Sequence, residues 1–345
     1  MSRGAKGRRR VIIHEEVNAR AGLLGNPSDM YGGKVLSFLI GDFSARIQLW
    51  ESPLLTFRLH PQYDRTEFEG LDDLVSSVTR HGYYGMQRVL FATCRRFADE
   101  CEARGIRLRR ANFTIAYDTN IPRQSGLGGS SGVIIAALRA LMRFYRVPPG
   151  AFPPGELAQL ALSVETRELG LAAGLQDRVV QAYGGLTYMD FAAGDGHYER
   201  LDSALLPEFG LAWVSETQLG TRESGQVHTP IRLRWEQGDE VVRKAIRGIA
   251  RCAEEGREAL LRRDHAKLGR LMGRNFDLRR EMFGDSGPER HNVRLVEIAR
   301  AAGFPAKLPG SGGAVIILLA GRGDRAKMTN DYAAEGYLYA PISVK

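Results

Sequence analysis

The chain has 345 residues, 48 Lys and Arg against 40 Asp and Glu, and a net charge of +8. Five of those excess charges (Arg3, Lys6, Arg8, Arg9 and Arg10) fall in the first ten residues, so the remainder is nearly balanced, which argues against a nucleic-acid binder. No run approaches the ~20 apolar residues of a membrane span, the start lacks a secretory apolar segment, and Cys94, Cys101 and Cys252 show no CxxC spacing, which excludes a disulfide framework and a cysteine zinc site and fits a cytoplasmic protein.

Residues 1–10 read as a disordered basic tail. Val11–Arg20 then predicts a strand, Ala21–Gly33 a glycine-punctuated loop, and Val35–Ile40, Ala45–Trp50 and Leu54–Leu59 three short strands. Apolar spacing over Leu71–Arg104 predicts two helices broken near Gly82–Gly85. Phe113–Tyr117 is a strand, Ile121–Gly132 a Pro/Gly/Ser loop and Val133–Tyr145 an apolar helix. After the linker Pro148–Pro154 come helices at Glu156–Leu169 and about Gln176–Ala182, then a strand at Leu186–Phe191. A second region starts near Leu201–Leu211. Its helices are expected at Asp239–Arg263, His265–Arg280 and Arg290–Ala302, followed by a strand at Ala314–Leu319 and a closing helix–strand pair. The order predicts an α+β protein of two domains, 11–205 and 206–345.

The segment Pro122-Arg-Gln-Ser-Gly-Leu-Gly-Gly-Ser-Ser-Gly132 lies between a predicted strand and a predicted helix. Small residues let backbone N–H groups approach a ligand, and a helix N-terminus favours negative charge, so together they make a phosphate cradle. Taken alone, the loop reads equally well as a Gly/Ser turn with a serine cap. It has no P-loop lysine and is no GxGxxG.

The segment resembles the phosphate loop of the GHMP kinases. Two further family motifs have counterparts in the right order: Ala19-Arg-Ala-Gly-Leu-Leu-Gly-Asn-Pro-Ser-Asp29, and the glycine turn Lys307-Leu-Pro-Gly-Ser-Gly-Gly-Ala-Val315. Within the family the chain is similar to the plant-type glucuronokinases over about Val17–Leu319. Besides the three motifs, that likeness is carried by Glu165–Phe191, Arg234–Asp239 and Asn275–Asp285. One departure is Gly132, where the family loop usually has alanine.

The resemblance implies the two-domain GHMP-kinase fold, with an N-terminal domain like ribosomal protein S5 domain 2 and a C-terminal ferredoxin-like α/β sandwich. It implies ATP and Mg²⁺ as cofactors and a small sugar acid as substrate, phosphorylated at the anomeric hydroxyl. The phosphate cradle would be Pro122, Gly126, Leu127, Gly128, Gly129, Ser130, Ser131 and Gly132. By spacing alone Glu165 is an acid on a solvated helix face and Asp177 a helix cap paired with Arg178. By resemblance, Glu165 and Ser130 (or Ser131) hold the metal, Asp177 is the general base and Arg20 the cation beside it. Asn26, Ser28, Asp29, Gln176, Gly310 and Gly312 would contact the sugar. The sugar's carboxylate calls for an arginine, with Arg123, Arg178, Arg234 and Arg279 as candidates between which the sequence does not choose. Another sugar as substrate (galacturonate, a neutral hexose or a heptose) and a non-catalytic sensor of the same fold remain alternatives, and oligomeric state is open.

Overall fold

A computed structural model describes residues 11–61, 64, 66–75, 85–192, 196–215, 231–284 and 289–345. The basic tail and most of the expected helix break at 82–85 lie outside them. Two antiparallel strands, β1 (Ile12–Leu24) and β2 (Lys34–Ser52), form the spine of the first sheet. On its other edge β2 pairs with β4 (Asn112–Thr119) through Ala45–Ser52 and with β5 (Leu186–Asp190) through Lys34–Phe38. The short β3 (Thr56–Arg58) and β6 (His197–Leu201) complete the six strands.

Two strands were expected where β2 runs unbroken, because Gly41 and Asp42 read as a turn. The chain stays extended there because other groups supply the missing ladder bonds. The pairing with β1 shifts between Asn18 and Arg20. The Asn18 amide fills that gap by donating to the carbonyls of Ile40 (3.0 Å) and Gly41 (3.3 Å). The C-terminal end closes the outer side, with the Gly41 N–H on Ser343 O at 2.9 Å and a bridge from Ile40 to Val344.

On this sheet lie α1 (Gln87–Ala103), α2 (Gly129–Tyr145), α3 (Pro154–Ser163) and α4 (Gln176–Tyr183). Helix α2 is buried all round from Ser131 to Leu138, as its position between β1, β2 and the other helices requires, and turns Arg143 to solvent nearer its end. Helix α3 stops earlier than Leu169. Residues Val164–Glu168 form one wider turn, closed by Leu169 N–H on Val164 O at 3.2 Å, an i to i+5 bond.

The second sheet is antiparallel, in the order β10 (Leu338–Ile342), β7 (Phe209–Trp213), β9 (Ala314–Leu318), β8 (Ala306–Lys307). Around it lie α5 (Glu240–Leu261), α6 (His265–Phe283), α7 (Glu289–Ala301) and α8 (Arg325–Ala334). Helices α5, α6 and α8 each start on an aspartate (Asp239, Asp264, Asp324) whose carboxylate accepts first-turn N–H bonds. The two-residue period of β9 sorts its side chains: Val315 and Ile317 pack with α7 and α8, while Ala314, Ile316 and Leu318 join the core of the first sheet. Phe38 stacks on Phe209 across that shared core, with ring centres 5.1 Å apart. The result is a two-domain α+β fold of mixed helices and sheets.

Candidate active site

Gly126 (φ +65°) and Gly128 (φ +73°) hold the loop before α2 in the left-handed region that favours glycine. Gly128 is also the cap of α2. The first N–H groups of a helix have no partner within it, so Gly129, Ser130 and Ser131 present a ready cradle for phosphate oxygens. Ser125 Oγ donates to Pro122 O at 2.6 Å and holds the loop's entry.

The third motif braces this loop from behind. A Cβ added to Gly310 would sit 2.0 Å from Gly126 O, and one added to Gly313 would sit 2.1 Å from Gln124 O. Gly312 lies against the Asn292 side chain, whose Oδ1 accepts the Gly313 N–H at 2.8 Å. Gly132 has a packing reason. A Cβ there would meet Gln181 Nε2 at 3.3 Å and the Ala45 methyl at 3.4 Å, so glycine in place of the usual alanine fits α2 against β2 and α4.

Arg20 is 4 % exposed at its side chain and ties all three motifs together. Its Nε donates to Asp177 Oδ1 at 2.7 Å, and its Nη1 donates to Gly126 O (2.6 Å) and Pro309 O (2.7 Å). Asp177 sits in the first turn of α4 and retains 16 % side-chain exposure, enough to meet a ligand.

Glu165 and Asp177 differ from what their spacing suggests. The wide turn after α3 carries Glu165 inward to a buried position, where Arg178 forms its ion pair. Ser130 Oγ donates to Glu165 Oε1 at 2.9 Å, whereas Ser131 Oγ turns back to Gly128 O at 3.0 Å. Arg178 also donates to Gly174 O at 2.7 Å and lies 3.7 Å from Asp177 Oδ2. Burial, helped by the charge of Arg20, lowers the Arg178 pKa to about 9.

The first-motif loop supplies a second acid. Asp29 receives the Gln176 backbone N–H and side-chain amide, both at 3.3 Å. Burial, reinforced by the charge of Asp177, raises its pKa to about 6. Ser28 is buried and donates to Lys34 O at 3.0 Å, a bond that shapes the loop. Asn26 Oδ1 accepts a bond from Lys307 Nζ at 2.6 Å, and its amide donates to Leu308 O at 3.3 Å. Lys307 is buried and gives its two other protons to Gly22 O and Leu308 O. Burial and the charges of Arg279 and Arg20 push its pKa well below the ordinary lysine value.

Several groups here escape sequence reasoning. Lys307 opens the third motif, and Asn275 and Gln181 lie in family-like segments, but none carries a local signal of its role. Gln181 Nε2 joins Asn18 O (3.1 Å) to Gly128 O (2.9 Å), fixing the cap of α2 to β1. Among the described residues no three His, Cys, Asp or Glu side chains cluster as a metal cage. The Ser130 and Glu165 oxygens are hard donors beside the phosphate cradle, a donor set that fits Mg²⁺ and would hold it there.

The sequence profile of the GHMP kinases N terminal domain matches residues 88–185, and that of GHMP kinases C terminal matches residues 257–338. The chain belongs to the GHMP kinases, and is a sugar kinase, a phosphotransferase with an alcohol acceptor and ATP as donor. It is 41 % identical to glucuronokinase 1 of Arabidopsis thaliana, over 98 % of this chain and 94 % of that one. Probable glucuronokinase 2 of the same plant is 42 % identical, over 98 % and 93 %. The fold matches the crystal structure of Methanococcus jannaschii mevalonate kinase with a TM-score of 0.70 at 19 % identity, covering 99 % of this chain and all of that one.

Proposed function

We propose that this kinase transfers the γ-phosphoryl group of ATP to the anomeric hydroxyl of D-glucuronate, giving D-glucuronate 1-phosphate and ADP. The near full-length likeness to glucuronokinase carries the choice of substrate. The site geometry supports the chemistry. Phosphoryl transfer needs an in-line hydroxyl and neutralised phosphate oxygens. Asp177 is the partly exposed carboxylate that takes the hydroxyl proton, and Arg20 holds its Oδ1 so that Oδ2, 3.7 Å from Arg178, faces the sugar.

The triphosphate sits on Pro122 and Gly126–Gly132, with Gly310 and Gly312 shaping the wall behind. Ser130 and Glu165 hold Mg²⁺, which when bound neutralises charge on the phosphate oxygens. Asn26, Asp29 and Gln176 orient the sugar hydroxyls, and Ser28 holds their loop. We assign residues 11–205 and 206–345 to the two domains, supported by the break between β6, ending at Leu201, and β7, starting at Phe209. We also assign the chain to the cytoplasm, with its three cysteines as free thiols; no described helix is long and apolar enough to cross a membrane.

ADP release measured with D-glucuronate, D-galacturonate, D-galactose and D-glucose tests the reading. D-glucuronate is expected to give the highest kcat/KM, with phosphate at C1 by ³¹P NMR. Equal turnover of galactose or galacturonate would sink the assignment.

A further inference from the structure

Helix α6 places Asn275 and Arg279 one turn apart on the same face. Both are buried, 1 % and 3 % exposed. Asn275 Oδ1 accepts the Gly25 N–H at 2.8 Å, which sets it against the loop that carries Asn26 and Asp29. Arg279 Nη2 donates to Ser311 O at 3.1 Å, in the third motif. Among the described residues, Asn275 Nδ2 and Arg279 Nε and Nη1 are buried donors with no hydrogen-bond partner. Leaving such donors unmade is costly, more so for a charged group, so an arrangement of three calls for a ligand.

Charge points to the kind of ligand. Arg20, Lys307 and Arg279 are the buried cations where the first and third motifs meet α6. Arg20 has Asp177 at 2.7 Å, and Arg279 has Glu289 Oε1 at a looser 3.6 Å. Among the described residues Lys307 meets carbonyl and amide oxygens and no acid. Lys307 has already spent its three protons, so Arg279 is the guanidinium here with donors to spare among the described residues. The other candidate arginines have other commitments. Arg178, although its Nε is likewise a buried donor with no hydrogen-bond partner, pairs with Glu165, and Arg234 bonds Asp239 (2.8 Å) and Met282 O (2.7 Å). Arg123 lies on the phosphate loop itself.

We propose that Arg279, with the Asn275 amide beside it, binds the carboxylate of the sugar acid and so sets the preference for uronic acids over neutral sugars. This rests on the sugar-acid reading above. Lys307 acts behind it as a hydrogen-bonded brace between Gly22, Asn26 and Leu308.

The test compares D-glucuronate with its uncharged amide, D-glucuronamide, in wild type, R279Q and R279K. R279Q is expected to lose about 100-fold in kcat/KM for glucuronate, with about threefold or less for the amide and for the KM of ATP. R279K should recover part of the loss. Equal losses on acid and amide would overturn the proposal while leaving the kinase assignment intact. If wild type ignores glucuronate but takes another sugar acid, the substrate assignment falls and the same comparison on that acid decides the role of Arg279. If wild type takes only neutral sugars, both fall. Should R279Q show no melting transition, N275D serves instead. It keeps the acceptor for Gly25 N–H but sets a negative oxygen where the free donor was, and the same selective loss is expected.

Discussion

Arg20 and Asp177 meet at 2.7 Å across 157 residues of sequence, and the same guanidinium bonds the carbonyls of Gly126 and Pro309. One buried cation thus aligns the proposed base with the phosphate loop and the third motif. Asp177→Asn keeps the shape and removes the proton acceptor. It is expected to lower kcat by about 10²–10⁴-fold with the KM of ATP nearly unchanged. Unaltered turnover in an ADP-release assay would remove Asp177 from the mechanism.

Ser130 and Ser131 are neighbours with different partners, Glu165 Oε1 and Gly128 O. Magnesium titrations of the two alanine variants separate them. Ser130→Ala and Glu165→Gln should raise the half-saturating Mg²⁺ and lower kcat, by about 100-fold for the glutamate. Ser131→Ala should cost about 1 kcal/mol of stability and leave the Mg²⁺ requirement alone. The reverse result would move the metal to Ser131.

Much of this site is legible in the sequence because it is local. The order of the three motifs, the glycines before α2 and the aspartate caps of α5, α6 and α8 are signals carried by adjacent residues. Glu165 is the instructive failure. Spacing puts it on a solvated face, and only the wider turn after α3, set by packing, carries it inward to Arg178. The unbroken β2 depends on Asn18 and on Ser343, the latter some 300 residues away in sequence. Asn275 and Lys307 acquire meaning only once α6 and the third motif are folded against Gly25 and Asn26. Contacts of that range leave no periodicity to read.

Asp29 gives the protein a pH signature. Its pKa rises from 3.8 in the unfolded chain to about 6 in the fold, chiefly by burial. The folded state therefore binds the proton more tightly, so this group favours folding below about pH 4 and the benefit is lost as pH climbs to about 6. The scale is on the order of 3 kcal/mol. Asp29→Asn should remove this falling segment, so the difference in urea stability, variant minus wild type, should grow from pH 4 to pH 6.5. A constant difference across that window would show that Asp29 titrates normally.

Gly310 and Gly150 separate two reasons for glycine. Gly150 has φ +82° with nothing within 4 Å of an added Cβ, so Gly150→Ala meets backbone strain alone, about 1 kcal/mol. At Gly310 the left-handed region is not required, but the added methyl would stand 2.0 Å from Gly126 O and 3.0 Å from Arg20 Nη1. Gly126 O is the acceptor that holds Arg20, so the methyl must displace the phosphate loop and the base's partner together. Gly310→Ala is expected to raise the KM of ATP, lower kcat and reduce stability by about 2 kcal/mol or more. Gly150→Ala should keep both kinetic constants. Matching kinetic losses in the two variants would mean that the third motif does not brace the loop.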